Sequence, residues 1–214
     1  MINPEQLPER RGAKAFLRAE TAGLHARAEA AFEANYALAA PQGIQRFLTC
    51  MLGAYRRFGA ECDRGSQLAC IECRSAELID ALRREVGSEP AREPASEPRW
   101  EPGIEPEVGR LPDMAAVAGL SAHSDAYSLG AAYVFEGSAM GAAILKKKID
   151  VAGLPLPRYL SLLTQSSASR WPRFAKTLDV HMEAQVNVNL QADQMLTGAV
   201  DVFTHLINDA ERQE

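Results

Sequence analysis

Leu129 to Ile144 reads LGAAYVFEGSAMGAAI, and this run dictates a helical fold more strongly than any other part of the chain. It is apolar and helix-forming, with no alternation of polar and apolar residues. It nevertheless carries Gly130, Gly137 and Gly141. A glycine inside a helix costs about 1 kcal/mol relative to alanine, so three cost roughly 3 kcal/mol. A helix built only to fill a core would use alanine, as this one does at Ala131, Ala132 and Ala139. At 100° per residue the three glycines share a stripe about 40° wide. Such a bare ridge admits either a flat ligand against the main chain or another helix packed closely. The pattern alone leaves both open.

A second segment bears on that choice. Residues 14–33, KAFLRAETAGLHARAEAAFE, form an amphipathic helix in which Leu17, Thr21, Leu24, Ala28 and Phe32 follow the helical period. His25 lies at the edge of that stripe, with Arg18 seven residues before it and Glu29 one turn after it. A histidine here is either a boundary side chain or a ligand. A neutral imidazole that binds a metal gives its other N–H to a carboxylate or carbonyl, and Glu29 is in place to accept it. Arg18 is in place to pair with an acidic group on a ligand held by the same face.

The remaining periodicity predicts helices near 12–33, 42–63, 66–86, 124–149, 156–167, 170–180 and 184–211, with Gly and Pro falling mainly between them. Pro172 suits the first turn of a helix that starts near Arg170. The fold class is therefore all-α. Residues 87–113 differ: Glu-Pro recurs every four residues, which forbids a helix and predicts an acidic, extended surface loop. With 214 residues a single domain spanning 1–214 is expected, interrupted by that loop.

Composition narrows the function. The net charge of −5 gives no basic bias toward nucleic acid. The N-terminus, MINPEQLPERRG, has no signal-peptide core, and no apolar run is long enough to predict a membrane span, so a cytoplasmic location is expected. Cys70 and Cys73 form a CxxC pair inside the predicted 66–86 helix, without a second pair to complete a zinc site. No HExxH, Walker loop or GxGxxG fingerprint is present.

Taken together, LRAETAGLHARAE (Leu17–Glu29) and LGAAYVFEGSAMGAAI (Leu129–Ile144) resemble the haem oxygenase family, most closely its soluble, biliverdin-producing bacterial members. RWPRFAKTLD (Arg170–Asp179) and GAVDVFTHL (Gly198–Leu206) are weaker echoes in the same order. The resemblance implies a single-domain multi-helix bundle. It implies oxidative cleavage of haem to biliverdin, carbon monoxide and ferrous iron, using O2 and electrons from an external ferredoxin or flavoprotein reductase. By position, His25 would be the axial iron ligand and Glu29 its supporting carboxylate. Gly137, Ser138 and Gly141 would form the catalytic distal face. Arg18, Tyr133, Ala142, Arg170 and Arg173 would contact the haem or its propionates.

Two residues depart from the family pattern. Ala142 stands where many members have a further glycine, which would put a methyl in the path of the haem. Ser138 stands where many members have an aspartate that orders water; a hydroxyl holds a water but supplies no negative charge. These departures motivate a rival reading, a non-catalytic haem carrier or sensor on the same fold. A helical interaction module without haem is a second rival, motivated by the Glu-Pro loop.

Overall fold

All regular structure among the described residues is helical. The structure, a computed structural model, describes residues 12–36, 40–87, 123–165, 167–183 and 188–212. Apart from Gly87, the expected Glu-Pro loop lies outside the described residues.

The predicted first helix is two segments, α1 (Ala13–Glu20) and α2 (Ala22–Tyr36). Thr21 separates them, and its hydroxyl donates back to the Leu17 carbonyl at 2.7 Å. The amide bonds from Thr21 to Leu17 and from His25 to Thr21, both 2.9 Å, carry the helical path through. Leu17, Thr21 and Ala28 are buried and Leu24 and Phe32 half-buried, as the periodicity requires.

The break expected near 63–66 is absent. Instead α3 runs from Pro41 to Leu68, with proline at its first turn. Gly65 acts as a packing position rather than a breaker. A Cβ there would lie 2.6 Å from Ala132 Cβ and 2.7 Å from the Ser128 carbonyl oxygen, so α3 meets the apolar helix backbone to backbone. The stop comes at Cys70, whose φ of +50° is left-handed. Its amide donates to the Gln67 carbonyl and that of Ile71 to the Ser66 carbonyl, both at 3.0 Å. This pair of bonds is a Schellman cap. The CxxC pair therefore occupies a turn and an extended connector, not a helix.

Among the described residues five further helices follow, one before the Glu-Pro segment and four after it: α4 (Ser75–Gly87), α5 (Asp125–Val151), α6 (Arg158–Thr164), α7 (Ser167–Glu183) and α8 (Val188–Glu211). Ser124 caps α5 by accepting from the Tyr127 amide at 3.2 Å. Because α7 begins at Ser167, Pro172 lies in its second turn rather than its first.

At the centre, α5 packs against α3, α6, α7 and α8. Its length and a mean hydropathy of 1.2 would suit a membrane span, but 56% of that window is buried inside the fold, as in the core helix of a globular domain. The helix crosses α8 on glycines. A Cβ on Gly130 would lie 1.8 Å from the Met195 carbonyl oxygen, and one on Gly198 2.2 Å from that of Tyr127. This corrects the single bare stripe read from the sequence. Gly130 serves the crossing with α8, Gly137 faces the Trp171 ring of α7, and only Gly141 is left uncovered.

Candidate functional site

Both α2 and α5 rest on α8, yet α2 is not among the principal packing partners of α5. Two links instead tie them near their ends. At one end Tyr133 of α5 sits beside the Thr21 hydroxyl and the Arg18 charge; burial pushes its phenol above the ordinary value while those two neighbours pull it back. At the other end Lys148 donates to Glu33 at 3.3 Å.

Between these links the helical repeat places Thr21, His25, Glu29 and Glu33 on one face of α1–α2. On α5 it places Tyr133, Gly137, Met140, Gly141, Ile144 and Lys148 on one face. The two faces therefore run alongside each other for about 18 Å, at 1.5 Å per residue over the twelve residues from Thr21 to Glu33, and we read the space between them as a groove.

The groove is lined but not filled. His25 keeps 62% of its side chain exposed, and its Nδ1 lies 3.6 Å from Glu29 Oε1, just beyond hydrogen-bond length. Phe203 of α8 meets the His25 ring edge-on at 5.9 Å and supports it from below. On the facing helix Met140 and Ile144 are each 61% exposed, unusual for large apolar residues that both lie on one helix face. A Cβ on Gly141 would meet nothing within 4 Å.

Gly137 differs from Gly141. A Cβ there would sit 3.6 Å from the Trp171 ring of α7, so Trp171 closes this end of the groove. Trp171 also packs on Tyr133 and Phe174, with ring centroids 5.8 Å and 6.2 Å apart. Ser138, next along α5, donates its hydroxyl to the Phe135 carbonyl at 2.7 Å. Its lone pairs still accept from water, but its proton is committed to the helix.

Three expected contacts do not face the groove as anticipated. Ala142 is buried in the core, so its methyl does not obstruct a ligand. Arg170 is also buried; it donates Nε to Glu136 at 3.2 Å, Nη2 to the other Glu136 oxygen at 2.5 Å, and Nη1 to the Glu72 carbonyl at 2.9 Å. A carboxylate on the apolar helix captures it before any propionate. Arg173 is exposed but points toward the connector, donating to the Cys70 carbonyl at 2.7 Å. Arg18 remains at the Tyr133 end of the groove.

Sequence reasoning missed Trp171, Phe203 and Glu136. Glu136 carried a visible signal, because a single carboxylate inside a sixteen-residue run otherwise free of charge demands a buried partner. Nothing local marks Trp171 or Phe203, whose roles depend on how α7 and α8 cross the groove.

Among the described residues no cluster of three or more His, Cys, Asp or Glu side chains is arranged to hold a metal ion. A haem needs no such cluster, since the porphyrin supplies four ligands and the protein one imidazole. The observations that match a haem are the exposed His25, a neighbouring helix bare at Gly141, and exposed apolar side chains at Met140 and Ile144. Compared with known proteins, the chain matches no family model and no curated protein.

Proposed function

We propose that this chain is a haem oxygenase, a cytoplasmic enzyme that cleaves haem to biliverdin, carbon monoxide and ferrous iron with O2 and electrons from a ferredoxin or flavoprotein reductase. The observation that carries the reading is the exposure of His25 on a face that runs beside the bare, apolar segment of α5 at Met140, Gly141 and Ile144. Haem would be both bound group and substrate, its iron supplying the O2 chemistry that ends in oxidation of its own ring.

The residues of the chain divide the work. His25 offers a ring nitrogen to the groove while Glu29, one turn on, biases which nitrogen keeps the proton. Phe203 restrains the ring plane. Met140 and Ile144, both exposed, would exclude water from a bound porphyrin, and Gly141, with open space beside it, would leave the α5 main chain accessible to it. Trp171 limits how far a ligand slides toward Tyr133. Arg18 is the cation placed to meet a propionate. Ser138 Oγ accepts from a water and so orients it, which differs from donating a proton directly.

That commitment of the Ser138 proton favours a second reading, a haem carrier or sensor without turnover. Loading the purified protein with haemin, then adding reductant and oxygen, separates the two. Loss of the Soret band with a new red-absorbing product supports the oxygenase. A Soret band that persists through the same treatment supports the carrier, and absence of any Soret band on loading sinks both.

A further inference from the structure

On the far side of α7 from the groove, a cleft of about 190 Å³ opens between the 71–74 connector and the first turns of α7. Its walls are Ile71, Glu72, Arg74, Ser169, Arg170 and Arg173. We propose that this cleft binds a small phosphate-type oxyanion, of the size of inorganic phosphate or pyrophosphate, at a site separate from the His25 groove.

Three guanidinium groups converge there. Arg74 donates Nη1 to the Gln165 carbonyl at 3.0 Å and Nη2 to the Leu163 carbonyl at 3.4 Å, while its Nε is buried and has no partner. Arg173 reaches the cleft from α7, held by its bond to the Cys70 carbonyl. Arg170 forms the inner wall, fixed by Glu136 and by the Glu72 carbonyl. Set against Glu72 and Glu136, three arginines leave a local charge of +1, in a chain whose net charge is −5. The positive cleft is therefore not a by-product of a generally basic surface.

Two physical terms add to that charge. Ser169 and Arg170, in the first turn of the seventeen-residue α7, line the cleft, and the first turn carries the positive end of the helix dipole. The guanidinium groups on the cleft wall make charge-assisted hydrogen bonds to an oxyanion, about twice as strong as neutral ones. Planar guanidinium forks match tetrahedral oxyanions in a way that single ammonium groups do not. The volume admits one or two phosphoryl groups, while Ile71 provides a single apolar wall too small to hold a large organic moiety.

The test is thermal unfolding of the whole chain in sodium phosphate or pyrophosphate, against sodium chloride at matched ionic strength. A site on the folded state gives a saturable rise in the midpoint, about 3–6 °C at tenfold excess over Kd. Arg173→Gln changes an exposed residue and is expected to abolish the rise; Arg74→Gln is expected to do the same. Arg56→Gln, exposed on α3 and outside the cleft, is expected to keep it. The proposal is overturned if chloride reproduces the shift, if Arg173→Gln retains it, or if no shift occurs. None of these outcomes depends on haem, so the cleft and the groove stand or fall separately.

Discussion

Arg170 on α7 and Glu136 on α5 share two hydrogen bonds, with only 9% and 13% of their side chains exposed. The pair sits one residue from Gly137 and one from Trp171, the two residues that meet at the closed end of the groove. It is therefore the fastener that holds the end wall in place. Glu136→Gln would leave the guanidinium charge without its counter-ion and is expected to cost about 3 kcal/mol, read as a lower urea midpoint at unchanged m-value. A loss below about 0.5 kcal/mol would mean that the pair fastens nothing.

The glycines of α5 give opposite expectations. Gly130→Ala drives a methyl into the Met195 carbonyl and is expected to destabilise by about 3 kcal/mol or more. Gly141→Ala meets open space and is expected to stabilise by about 0.5–1 kcal/mol. Gly141→Phe should fold as well as wild type but weaken haemin binding by about tenfold or more, the equivalent of 1.4 kcal/mol. Unfolding curves and Soret titrations of the three variants check these values together. Equal haemin affinity in Gly141→Phe and wild type would remove Gly141 from the site.

His25 stands clear of the core, so His25→Ala is expected to shift stability by no more than about 0.5 kcal/mol. It should nonetheless remove the spectrum of imidazole-ligated haem, and added free imidazole should restore it. If the variant keeps an axial-histidine spectrum unaided, another histidine is the ligand.

The cysteines should react in two classes. Cys50 and Cys62 are buried, and burial pushes both thiols up, Cys50 to about 11. Cys70 and Cys73 are exposed, although Cys73 is also raised by partial burial and the neighbouring Asp63. An aromatic disulfide reagent at pH 8 should therefore label Cys70 first, Cys73 next, and the other two only on unfolding.

A left-handed residue other than glycine is a standing cost at the end of α3. Cys70→Gly is expected to stabilise by about 1 kcal/mol, measured by denaturant titration. A destabilised variant would show that the Cys70 side chain does more than close the turn.

Helical class and most helix centres were legible in the sequence, because each rests on local period and composition, whereas the pairing of His25 with α5 rested on the family resemblance alone. The boundary between α3 and α4 was not. Gly65 looks like a breaker until Ala132 and Ser128 are seen against it, and Cys70 does not advertise a left-handed cap. The three glycines share one angular stripe yet meet different surroundings, since the paths of α7 and α8 decide which is covered. Arg170 read as a free cation because its partner, Glu136, lies 34 residues away along the chain. In each case the missing information was which segment packs across the other.

The groove between α2 and α5 is spanned near its two ends and open in between, so Met140 and Ile144 face water whenever it is empty. Filling it is then a drying event that requires no parting of packed helices. Calorimetry would see a negative heat-capacity change on occupation, and the unliganded chain would carry an adhesive strip that drives self-association as its concentration rises.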